Sequence, residues 1–149
     1  MKKNILSILI CCLVLFSYAQ TPVSYVIKRT DYVKGTYKTF TYELKNDSII
    51  VTRYSTNNRP TKLLYSNSLN SGQISKLTKI LKDFDLSKMQ SKYIDENVEG
   101  EGHSVYDLKI NQEFKNIYVY FGIEPNLKKL DSFIYEILPE DQNGWYKVY

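Results

Sequence analysis

The residues able to do chemistry are few. The chain holds a single histidine, His103, so a two-histidine metal site cannot be assembled within one subunit. Glu101 and Asp107 are the carboxylates near enough in sequence to orient an imidazole acting as general base. The glycine beside it and the acidic run before it instead predict a solvated loop position for His103. Ser104 sits in no nucleophile-elbow frame, and no glycine-rich phosphate loop precedes a helix, so no motif calls for a cofactor. Hydrolysis by two carboxylates needs only acids from any two loops. An envelope-polymer hydrolase using carboxylates or His103 is therefore the enzymatic alternative.

The acidic run is Asp95-Glu96-Asn97-Val98-Glu99-Gly100-Glu101. Oxygen ligands at Asp95, Asn97, Glu99 and Glu101, with a turn-permitting glycine among them, are how a calcium-wrapping loop begins. The pattern then breaks, because Tyr106 stands where a bidentate glutamate would close the shell. The simpler reading is a solvated loop in which Asp95, Glu96, Glu99 and Glu101 are free to meet a basic partner. A module binding calcium or a small ligand is the second alternative.

Tyrosine is the other unusual feature, with 14 residues in the chain. Tyr42 and Tyr106 share the phase of apolar neighbours and are expected in the core. Tyr118 and Tyr120 alternate out of phase with Ile117, Val119 and Phe121, so they point the other way. With Thr39, Thr41 and Lys109 they are expected to form a Tyr/Thr/Lys sheet face, and such tyrosines give large contact area at small entropic cost.

These side chains need elements to hold them. Alternation predicts strands over Ser24–Arg29, Thr36–Leu44, Ser48–Tyr54, Thr61–Tyr65, Ser104–Ile110 and Asn116–Phe121. Lys45-Asn46-Asp47 and Asn111-Gln112-Glu113 are the turns of two hairpins. Pro60, lacking a donor, places the fourth strand near an edge. Asn70 with Gln73 makes a capping box for a helix whose apolar stripe is Ile74, Leu77, Ile80, Leu81 and Phe84. The stretch from Asp85 through Tyr93 reads as irregular. A second helix opens at Pro125 and stops before Pro139, with Leu127, Leu130, Phe133, Ile134, Ile137 and Leu138 on one stripe. The expected fold is α+β: an antiparallel sheet with two amphipathic helices on one face, in the order β-β-β-β-α-β-β-α.

At the start, Lys2 and Lys3 precede the nearly unbroken apolar run Ile5–Phe16, and Ser17-Tyr18-Ala19 supplies the small residues of a cleavage site. This is the layout of a secretory signal peptide cut after Ala19; its run of 12 residues, apolar but for Ser7, falls short of the roughly 20 that a membrane span needs. Removing 19 residues from 149 leaves a single domain over 20–149 with 18 basic and 16 acidic side chains. Both cysteines, Cys11 and Cys12, leave with the signal, so the working domain has no disulfide and no thiolate ligand. The small net charge and dispersed lysines argue against nucleic acid. The aromatic tail 141–149, ending Trp145-Tyr146-Lys147-Val148-Tyr149, is expected to dock rather than hang free.

Together these features predict an exported, periplasmic or secreted bacterial protein without catalytic residues. It would act by binding another protein in the envelope or outside the cell, as an inhibitor, a toxin-neutralising (immunity-type) protein or an adaptor.

Overall fold

The computed structural model describes residues 23–33 and 37–139. The signal segment and the aromatic tail lie outside the described residues.

The described chain forms a seven-stranded sheet and two helices, broadly α+β. In sequence order the elements are β1 (Tyr25–Val33), β2 (Tyr37–Lys45), β3 (Ser48–Tyr54), β4 (Pro60–Ser68), α1 (Ser71–Lys82), β5 (Lys92–Ile94), β6 (Gly102–Ile110), β7 (Glu113–Tyr120) and α2 (Pro125–Ile137). Across the sheet the strands run β4-β3-β2-β1-β6-β7-β5. β1, the first strand, thus lies at the centre, between the β2–β3–β4 meander and the β6–β7 hairpin.

Local chemistry sets the connections. Asn46 and Asp47 both adopt positive φ (50° and 53°), the geometry of a two-residue hairpin turn that asparagine and aspartate tolerate best after glycine. Lys45 and Ser48 close that hairpin as paired residues. The Asn70 side chain accepts from the Gln73 amide, and the Gln73 side-chain oxygen accepts in turn from the Asn70 amide, completing the capping box. Glu124 caps α2 by accepting from the Leu127 amide, with Pro125 in the first turn.

β4, β6 and β7 run two or three residues beyond their expected bounds, and two larger features depart from expectation. β1 continues four residues past Arg29, to Val33. The supposedly irregular stretch ends in β5, which pairs parallel with β7 through Lys92, Tyr93 and Ile94, so the sheet is mixed rather than antiparallel and the helices are separated by three strands rather than two. Three residues are too few for alternation to register, and β5 exists because β7 offers it an edge.

One face of the sheet and the apolar stripes of both helices share a single core. Ile27, Tyr42, Leu44, Val51, Leu108 and Ile117 contribute from the sheet, Leu77 and Leu81 from α1, and Leu127, Leu130, Phe133 and Ile134 from α2. The helices run antiparallel, with Lys76 paired to Glu136 at one end and Lys129 to Asp83 at the other. Both pairs are exposed and hold little energy.

Candidate functional site

β1 serves two neighbourhoods, one on each side of the sheet. Its odd residues face the core, and Arg29 falls in that phase. The Arg29 side chain is 10% exposed and is held by two carboxylates, Asp31 at 2.8 Å from Nε and Asp131 of α2 at 3.0 Å from Nη1. Asp31 also accepts from the Ser104 hydroxyl (2.7 Å), and Asp131 from the Tyr106 hydroxyl (2.8 Å). The guanidinium carbon lies 5.3 Å from the Tyr42 ring centre, 5.9 Å from Tyr106 and 5.4 Å from Tyr135. Burial pushes the Asp131 carboxyl above its ordinary range, against the pull of Arg29 and the Tyr106 hydrogen bond. Asp31 accepts from Arg29 and Ser104, while Asp131 accepts from Tyr106 and meets Arg29 as an ion pair outside hydrogen-bond geometry. The cluster ties α2 to β1 and β6 beneath the helix. It has the construction of a clamp, a cation enclosed with two carboxylates.

The even residues of β1 face the opposite, outer side. Tyr32 is paired with His103 in the β1–β6 register, and their rings stack with centroids 4.7 Å apart and planes within 4°. His103 in turn lies 4.7 Å from the Tyr118 ring of β7, tilted by 31°. Three rings therefore form a row across three adjacent strands. His103 is not the solvated loop residue expected; it is the second residue of β6, and burial holds its pKa below the ordinary histidine value despite the opposing charge of Asp31. The Tyr32 hydroxyl is raised, first by burial, then by Asp107 and Tyr54.

Registers extend this face. Thr52, Thr41, Thr30, Val105 and Tyr118 form one line across β3, β2, β1, β6 and β7. Ile50, Glu43, Lys28, Asp107 and Asn116 form the next, in which Lys28 lies between two carboxylates and Asn116 donates to Asp107 at 2.7 Å. Four of the large apolar residues left exposed, Ile50, Leu63, Ile94 and Phe114, lie on this outer side, with exposures between 38% and 64%.

The sequence-predicted sites fall unevenly on this surface. Tyr118 is in the ring row, and Lys109 is exposed at the far end of β6. Thr41 is only 5% exposed and offers nothing to a partner as it stands; Thr30 beside it on β1 is buried too. Thr39 sits at the bulge where the β1–β2 register shifts, and its hydroxyl is spent on the Asp31 carbonyl (3.0 Å). The Tyr120 hydroxyl is likewise engaged, donating to the Gly100 carbonyl (2.9 Å) and accepting from its amide (3.2 Å).

That contact pins the acidic loop. A Cβ on Gly100 would come within 2.5 Å of the Phe121 ring, so only glycine lets the loop close against it. Asp95 accepts from the amide and the side chain of Asn97 (3.0 and 3.1 Å). Glu96, Glu99 and Glu101 remain exposed. Among the described residues, no three carboxylate, histidine or thiolate groups stand where they could hold one metal ion. A cleft of about 480 Å³ opens beyond α1, lined by Val23, Leu81, Phe84, Leu86, Ile110 and Gln112 among others. Neither the ring row nor the Arg29 cluster borders it.

Sequence reasoning missed Tyr32 and the Arg29 cluster, and singled out His103 but placed it in a loop rather than in β6. Arg29 had a signal, since it continues the inward phase of Tyr25 and Ile27. Tyr32 had none once β1 was ended at Arg29.

Fold and surface together define a small α+β protein with a buried ionic clamp and an open aromatic sheet face. Compared with known proteins, the chain matches no family model and no curated sequence. Among the described residues no helix is long and apolar enough to cross a membrane.

Proposed function

We propose that this is a non-catalytic binding protein that presents its outer sheet face to another protein. Packing of both helices on the core face supports this, because it leaves the opposite face without a covering element among the described residues. The observation that carries the reading is the Tyr32–His103–Tyr118 row, set on the side that also exposes Ile50, Leu63, Ile94 and Phe114. Aromatic anchors among scattered apolar residues are the composition of a protein interface centre. Rings stacked on one another turn edges and hydroxyls outward while their π faces are occupied. A sugar that must lie flat on an open ring is poorly served by that arrangement, whereas a protein surface is well served. The signal layout at Lys2–Ala19 supports export to the periplasm or beyond, and an inhibitor, immunity-type or adaptor role is the corresponding biological reading.

The test uses the mature protein as bait on envelope fractions, beside Tyr32→Ala and Tyr118→Ala. Wild type should retain a partner that both variants release while remaining folded. A partner retained equally by all three would refute the face as the recognition surface. N-terminal sequencing of the native protein should begin at Gln20; a chain still carrying Lys2 and Lys3 would overturn export by cleavage.

A further inference from the structure

Resting on the binding reading above, the register of the outer face points to the chemistry of what it holds: we propose that the ring row is the seat of an extended acidic segment of a partner protein, with a carboxylate at each end and apolar or aromatic residues between. The two ends are marked by lysines. Lys38 of β2 pairs with Tyr32, and its Nζ lies 4.7 Å over the Tyr54 ring, which holds the ammonium above this face. Lys92 of β5 pairs with Tyr118 and is exposed. The path Lys38–Tyr32–His103–Tyr118–Lys92 thus crosses β2, β1, β6, β7 and β5 in their order in the sheet, with one diagonal step of two residues at the ring contact between His103 and Tyr118, since Tyr118 pairs with Val105.

No carboxylate interrupts that line. The strand acids on this face, Glu43 and Asp107, both pair with Lys28, on the far side of the Thr30 line from Tyr32; Asp107 is the one whose charge reaches the Tyr32 hydroxyl. Two cations flanking stacked rings favour anionic groups at the ends and contact area in the middle. Four strand spacings of about 4.8 Å, with the two-residue step along the strands, separate the lysines by about 20 Å, which an extended segment spans in about six residues at roughly 3.3 Å each. The acidic loop starts three residues beyond Lys92, at Asp95. It repels any acidic segment that runs further and so fixes which end of the line a carboxylate stops at. The same lysines disfavour a second copy placed face to face, because each would meet its own charge.

A library of random dodecapeptides displayed on phage, selected against the immobilised mature protein, tests this. Selection on wild type should enrich peptides with Asp or Glu about six positions apart and apolar or aromatic residues between them. Selection on Lys38→Glu/Lys92→Glu should lose that acidic preference, and the wild-type winners should bind the double variant about tenfold more weakly. Enriched peptides without paired acids, or an acidic preference that survives the double variant, would overturn the proposal. The underlying reading fails separately: its failure is a set of enriched peptides that Tyr32→Ala and Tyr118→Ala bind as well as wild type does, or no enrichment at all. Peptides lost on the tyrosine variants but lacking acids leave the face standing and remove only its acidic occupant. Circular dichroism of each variant confirms the fold, and Lys92→Glu, at an exposed edge position, serves alone if Lys38→Glu disturbs β2.

Discussion

Two tyrosine-rich regions meet on β1 and do opposite work. Beneath the helices, Tyr42, Tyr106 and Tyr135 surround Arg29, and Tyr106 bonds to Asp131. On the outer side, Tyr32 and Tyr118 bracket His103 and remain partly open to solvent. The residue type is the same; what differs is where the charge sits. Inside, a cation and two carboxylates are enclosed together, and each becomes costly if left alone. Outside, charge is set at the margins of the row, where water still reaches it. One strand, by alternation alone, makes a fixed joint on one side and an adaptable surface on the other.

The largest effect that can separate the two regions comes from Arg29→Met. It keeps the aliphatic stem but leaves Asp31 and Asp131 without their shared cation, and should cost about 3–5 kcal/mol in chemical unfolding. A loss below about 1 kcal/mol would mean that the cluster is solvated and not a clamp. Asp131→Asn is milder, because the amide oxygen can still accept from Tyr106; it should cost about 1–3 kcal/mol near neutral pH. Its pH signature is specific. The Asp131 carboxyl is raised in the folded state, so the native protein binds more protons than the unfolded chain between the ordinary aspartate value and the folded one. This carboxyl therefore makes stability fall as pH rises through that window, and Asp131→Asn should remove that slope. An unchanged slope would show that Asp131 titrates as an ordinary surface acid.

The comparison also shows why the inner region was half legible in the sequence and the outer one scarcely so. Core tyrosines declare themselves by phase: Tyr42 with Phe40 and Leu44, Tyr106 with Leu108 and Ile110. The capping box at Asn70 and Gln73, the turn at Asn46-Asp47 and the start of α2 at Pro125 depend on local chemistry, which the chain states directly. Arg29 belongs to the same phase, but its partner Asp131 is 102 positions away in α2, and no local pattern reports it. The ring row depends on the ends of β1 and β6, where Asp31, Gly102 and the acidic run look like loop. Only the pairing of β1 with β6, a contact between residues more than 70 positions apart, makes Tyr32 and His103 neighbours. Thr41 and its cross-strand neighbour Thr30 are both buried on the outer face, which strand alternation does not encode.

A smaller effect sharpens the outer half. Tyr118→Ala removes one stacked ring from a half-buried site and should destabilise by about 1 kcal/mol, far less than Arg29→Met. Double-mutant cycles should find Tyr118 coupled to His103 and nearly additive with Arg29. A loss as large as that of the arginine variant would make Tyr118 core and would remove it as an anchor.

The smallest expected effect is the titration of His103, and it tests whether the two regions communicate. Burial between the rings holds the imidazole below its ordinary value, while the negative charge of Asp31 pulls it up. The unfolded chain then binds more protons than the folded one between the lowered value and about 6.5. Its contribution to stability is present above that ordinary value and is lost as pH falls through the folded one. Proton NMR of the ring should place the midpoint below that of a free histidine. Tyr118→Ala uncovers the ring and should raise the midpoint. Asp31→Asn removes the opposing charge from the other side of the strand and should lower it further. Opposite shifts from these two changes would locate the coupling at Asp31, the residue that Arg29 and Ser104 hold on the core side. Shifts of the same sign, or none from Asp31→Asn, would mean that the sheet separates the clamp from the surface electrostatically as well as sterically.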